Sequence, residues 1–100
     1  MNTIIKSELF DSWLTALKDT RAKFNILARL RRAEIGNFGD CRPVGDGISE
    51  MRIHVGNGYR IYFVQEGDCV YVLIVGGDKS TQKKDIAKAK ALAKERRLQP

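Results

Sequence analysis

The segment Val55-Gly56-Asn57-Gly58-Tyr59 constrains the fold more than any other part of this chain. It separates two runs of alternating polarity, residues 48–55 and 59–65, so it is the turn of a β-hairpin. Two registers compete. A two-residue Asn57-Gly58 turn pairs Gly56 with Tyr59, and sets polar His54 opposite Ile61 and Arg52 opposite Phe63. A three-residue loop, Gly56-Asn57-Gly58, pairs Val55 with Tyr59, Ile53 with Ile61 and Met51 with Phe63. A slip of one residue moves every side chain through the sheet, so the apolar pattern selects the three-residue loop. Gly58 supplies the left-handed residue that such a loop needs. The other face then carries Glu50, Arg52, His54, Arg60 and Tyr62 within cross-strand reach.

The remaining elements follow from periodicity. Residues 3–6 read as a short edge strand. Leu9, Phe10, Trp13, Leu14 and Leu17 fall on one side of a helix whose N-cap is Ser7. A second helix spans about 21–35. Phe24, Leu27, Ala28 and Ile35 are expected to face inward, Lys23, Arg29 and Arg32 outward, and Gly36 closes it. The short link predicts an antiparallel helical hairpin. Residues 37–47, rich in Gly, Pro, Asp and Asn, read as a loop. Strands at 48–55, 59–65 and 69–75 form an antiparallel meander. The last of them, Cys-Val-Tyr-Val-Leu-Ile-Val, has no polar side and is expected to be central and covered on both faces. A final helix over 81–97 has an apolar stripe of Ile86, Ala89, Leu92 and Ala93 and seven basic residues around it. The expected architecture is α+β: an N-terminal helical hairpin packed on a small antiparallel sheet, with a C-terminal helix, as a single domain over residues 1–100.

Charge narrows the partners. Lys and Arg number 18 against 12 acidic residues, a formal net charge of +6. In so small a domain that balance favours a polyanion, although solubility alone also selects basic surfaces. Cys41, Cys69 and His54 are too few and too scattered for a structural zinc site, so no metal and no cofactor are expected. Two free thiols fit a reducing cytoplasm. Residues 1–6 carry no export signal, and no segment has the length of a membrane span.

The hairpin face offers two guanidiniums, an imidazole and a phenol. Arginine matches phosphate geometry with paired donors, and an exposed tyrosine can stack on a base. Such a face is also what an antiparallel sheet turns toward solvent. Lys79 and Ser80 lie where Gly76-Gly77 ends the third strand and the last helix opens, a place that attracts phosphate; Asp78 or Ser80 can equally serve there as a plain N-cap.

The stretches Gly-Tyr-Arg-Ile-Tyr-Phe (58–63) and Gly-Gly-Asp-Lys-Ser-Thr-Gln (76–82), with Ile-Ser-Glu-Met-Arg-Ile-His (48–54) and Asn-Phe-Gly-Asp (37–40), resemble the RelE/ParE-like toxin superfamily. The likeness is greatest to its HigB-like branch, the addiction module killer proteins. It runs from about Phe10 to Lys94. It implies the same order of elements, and the toxin of a type II toxin–antitoxin pair: a ribosome-dependent mRNA endoribonuclease, or, as in the ParE branch, a gyrase inhibitor. It implies a cognate antitoxin, mRNA and ribosomal RNA as partners. On this likeness Arg60, Arg52, His54 and Lys79 match basic family positions; together with the hairpin face and the opening of the last helix, this makes His54, Arg60 and Lys79 the expected catalytic residues, and Arg52, Tyr62, Ser80 and Lys83 the expected substrate-binding ones. Some relatives carry a catalytic tyrosine or histidine beside the last helix; Asp85 and Ile86 stand there in this chain.

Overall fold

The computed structural model describes residues 1–98. The elements run β1 (Thr3–Lys6), α1 (Glu8–Ala16), α2 (Thr20–Glu34), β2 (Cys41–Gly45), β3 (Ile48–Ile53), β4 (Tyr59–Gly67) and β5 (Val70–Gly77). A 3-10 turn (Lys79–Thr81) then leads into α3 (Gln82–Leu98). The class is α+β, as expected. The sheet has five strands in the order β1-β5-β4-β3-β2. It is mixed, not purely antiparallel: β1 lies parallel to β5, through bonds such as Thr3 N to Cys69 O (2.7 Å) and Ser7 N to Leu73 O (3.0 Å). That pairing gives wholly apolar β5 a neighbour on each side, so its interior residues Val72 to Val75 are buried.

Helices cover both faces. Phe10 and Leu14 of α1, with Ala22, Ile26, Leu30 and Ala33 of α2, pack on Met51, Ile53, Ile61, Phe63 and Leu73. On the opposite face, Ala89 and Ala93 of α3 close over Ile48, Tyr62, Val64, Val72 and Ile74. The alanines let the helix approach the sheet closely. Ser7 caps α1 by accepting from Phe10 N, and Asp19 caps α2 by accepting from Ala22 N. α1 and α2 share one sheet face. Each packs chiefly on strands, so they form two neighbouring struts more than a closed hairpin.

Three expectations are corrected here. The inward face of α2 is Ala22, Ile26, Leu30 and Ala33; Phe24 is 70% exposed and Ile35 71%. The helix carries two apolar stripes, and the one with small residues is the one that fits against the sheet. Arg29, expected outside, is half-buried and donates to the carbonyls of Arg52, Phe38 and Asp40. The segment 37–47 is not all loop either. Cys41–Gly45 is edge strand β2, antiparallel to β3, joined to it by Asp46-Gly47. Both turn residues have positive φ, 54° and 78°, which is the geometry of a tight hairpin turn. Pro43 is tolerated because the strand lies at the sheet edge.

Candidate functional site

The β3–β4 hairpin sets the site. Its pairs are Ile53 with Tyr59, Arg52 with Arg60, Met51 with Ile61 and Glu50 with Tyr62. This corrects the three-residue-loop register: the partners have slipped by two residues, and the loop has five, from His54 to Gly58. A slip of two keeps each side chain on its own face. Glu50, Arg52, Arg60 and Tyr62 therefore still share one face. His54 does not join them. Strand β3 ends at Ile53, and His54 turns out to hydrogen-bond the Asp40 carboxylate through Nε2. Asp40 is itself held in place, because its carbonyl accepts from Arg52 N (2.9 Å). The His54 bond holds the Asp40 carboxyl below its ordinary pKa.

α3 covers part of that polar face: Glu50 and Tyr62 are buried, while Arg52 and Arg60 stay partly exposed. Glu50 is 0% exposed. Its Oε1 accepts from Arg52 Nε (3.1 Å) and Arg42 Nε (3.3 Å), and its Oε2 from Tyr62 Oη (3.0 Å) and Gln82 Nε2 (2.9 Å). Arg60 Nε stands 3.7 Å from Oε2. Burial pushes the Glu50 carboxyl up, but the bonds from Gln82, Arg52, Tyr62 and Arg42 outweigh it and hold the pKa below its ordinary value. Tyr62 has no exposed surface, and burial beside Glu50 pushes its phenol pKa upward. No face of its ring is open to a base.

At the end of the sheet, His54, Gly56, Asn57, Gly58, Arg60 and Lys79 line one open cleft of about 510 Å³. The three residues expected to be catalytic thus come from three segments and meet at one opening. Arg60 is held there by a bond from Nη1 to Gly58 O (2.9 Å), and Lys79 N donates to Asn57 O (3.4 Å). Ser80 lines an adjoining cleft with Asn57, Asp78 and Lys79. Its backbone N and hydroxyl both donate to Asp78, so Asp78 is the cap. Lys83 stands exposed on α3 and lines neither cleft. Asp85 accepts from Thr81 Oγ1 (2.6 Å). Its carboxylate occupies the space where a Cβ on Gly77 would stand, so a side chain there would force Asp85 to move.

Sequence reasoning placed Glu50 on this face without giving it a site role, and missed Arg42, Gln82 and Asp40. Arg42 was hidden by reading 37–47 as loop; Asp46-Gly47 was the signal that could have found it. Among the described residues no three His, Cys, Asp or Glu side chains gather as a metal site requires. No described helix is long and apolar enough to cross a membrane.

Residues 12–97 match the family described as Phage derived protein Gp49-like (DUF891). The chain belongs to this family. An uncharacterized protein of Haemophilus influenzae is 53% identical over 96 residues, which cover 95% of this chain and 97% of the relative. Every residue of the Glu50 cluster and of the cleft in this Gp49-like protein lies inside the matched span.

Proposed function

We propose that this protein is the toxin of a type II toxin–antitoxin pair and acts in the cytoplasm as a ribosome-dependent mRNA endoribonuclease. A cognate antitoxin restrains it. Membership of the Gp49-like family supports the toxin–antitoxin class. The observation that carries the nuclease reading is the cleft shared by His54, Arg60 and Lys79.

The chemistry is attack of an RNA 2′ oxygen on its own 3′ phosphate. The 2′-O–P bond forms, the P–O5′ bond breaks, and a 2′,3′-cyclic phosphate and a 5′ hydroxyl result. With Nε2 engaged by Asp40, His54 keeps Nδ1 free to take the 2′ proton, and the Asp40 carboxylate steadies the imidazolium that forms. Arg60 and Lys79 offset the charge that builds on the phosphoryl oxygens. The departing 5′ oxygen takes its proton from water. Arg52, the cross-strand partner of Arg60, orients the phosphate, and Ser80 and Lys83 contact flanking nucleotides.

The test is induction in a host cell with primer-extension mapping of mRNA. Wild type gives new cut sites; Arg60→Ala and His54→Ala weaken them by roughly a hundredfold, the usual effect of removing one such interaction. Growth arrest without cuts, accompanied by blocked DNA supercoiling, refutes the nuclease and assigns the gyrase-inhibiting class.

A further inference from the structure

Arg42 and Arg52 hydrogen-bond Glu50 through Nε, at 3.3 Å and 3.1 Å, whereas Arg60 Nε stands 3.7 Å from it without a hydrogen-bond partner among the described residues. A guanidinium binds phosphate best with its terminal fork, which lies on the side away from a ligand held at Nε in this way. The terminal nitrogens of Arg42 and Arg52 donate to no protein group among the described residues. The three side chains come from three neighbouring strands, β2, β3 and β4. They form a row that is 53% exposed at Arg42, 29% at Arg52 and 12% at Arg60, leading inward to the cleft. Three like charges at this spacing repel one another. Glu50 removes one unit and leaves a local excess of two positive charges. It cannot swing away, because Tyr62 and Gln82 hold its second oxygen.

We infer that Glu50 is a positioning residue, which fixes Arg42 and Arg52 beside Arg60 as a track for consecutive phosphates of single-stranded RNA, and that Arg42 is the outermost member of that track. This rests on the RNA-directed reading above and adds to it the path of the strand beyond the scissile bond. Glu50 touches no substrate; it acts through the arginines.

The sign of one measurement separates positioning from plain electrostatics. Glu50→Gln makes the protein more positive by one unit, so charge alone predicts tighter RNA binding. Positioning predicts weaker binding, because the forks of Arg42 and Arg52 are no longer aligned. The probe is a 2′-O-methyl oligoribonucleotide, which lacks the attacking hydroxyl, followed by fluorescence anisotropy over a salt series. Folding is checked by circular dichroism. The expected result is about tenfold weaker binding by folded Glu50→Gln, and a log–log salt slope shallower by about 0.7 for each phosphate that the arginines no longer hold. Arg42→Ala, at the exposed edge, flattens the slope by about the same single step. Should Glu50→Gln not fold, Glu50→Asp keeps the charge and shortens the reach, and is expected to weaken binding in the same direction. Equal or tighter binding by a folded Glu50 variant overturns the positioning role while leaving the RNA reading intact. An unchanged slope in Arg42→Ala overturns the track. A wild type that binds no oligonucleotide at low salt overturns both the inference and the RNA reading.

Discussion

Tyr62→Phe discriminates between a tyrosine that serves RNA and one that serves the fold. The ring is wholly buried, and phenylalanine fills the same space without the hydroxyl. The packing contribution is therefore close to zero. What disappears is the 3.0 Å bond to Glu50 Oε2. A hydrogen bond to a charged group contributes about 1.5–3 kcal/mol. Gln82 Nε2 still donates to the same oxygen at 2.9 Å, which places the effect near the lower end. We expect about 1.5–2 kcal/mol, or roughly 6–16 °C in a domain of this size. The pH dependence has a definite sign. The Glu50 pKa is lowered in the folded state, so the stability it contributes is complete above its ordinary value of 4.5 and is lost as pH falls through the folded pKa. The gap between wild type and Tyr62→Phe must narrow in acid with it. Urea unfolding at neutral and acid pH measures both, with the slope in urea unchanged. Equal midpoints at neutral pH, with weakened RNA binding instead, would refute the reasoning and show the ring to be reachable from solvent.

Gly76→Ala is expected to cost about 1–3 kcal/mol by urea unfolding, because the added Cβ would stand 2.2 Å from the rigid Trp13 ring. On α2, Ile26→Ala should cost about 2–5 kcal/mol, whereas Phe24→Ser stays within about 0.5; the reverse order would mean that the helix presents its other stripe to the sheet.

Much of this fold is written in local pattern. The strand at Thr3–Lys6, the Ser7 cap, the two-sided burial of β5 and the alanine stripe of α3 each follow from a few adjacent residues. The hairpin shows where local pattern stops. Alternation with period two fixes which face a residue takes, and it places Arg52, Arg60 and Tyr62 together correctly. It is blind to a slip of two, which leaves every face unchanged. Interactions far along the chain decide that choice: Asp40 draws off His54, and Arg29 holds the carbonyl of Arg52. On α2 the large side chains of Phe24 and Ile35 suggested the core. The sheet instead accepts Ala22 and Ala33, since small residues allow close approach, and a single helix with two apolar stripes does not say which one will be covered. The cover over Glu50 was hidden for a related reason. The apolar stripe of α3 was legible, but not the face of the sheet on which it lies.

The buried carboxylate ties function to stability in one further way. Breaking a buried ion pair by removing one partner costs about 3–5 kcal/mol, a large share of the roughly 5–15 kcal/mol that holds such a domain together. Half-exposed Arg42 contributes less to that sum than Arg52 or Arg60, because solvent screens it. The row is thus firm toward the cleft and yielding at its outer end. On the RNA-directed reading proposed above, such a gradient would hold the scissile phosphate tightly while tolerating varied sequence beyond it. It also sets the order in which substitutions do harm. On that reading, changes at Arg42 are expected to alter binding with little effect on the fold, whereas changes at Glu50 or Arg60 alter both, so activity must there be normalised to folded protein before any catalytic role is assigned.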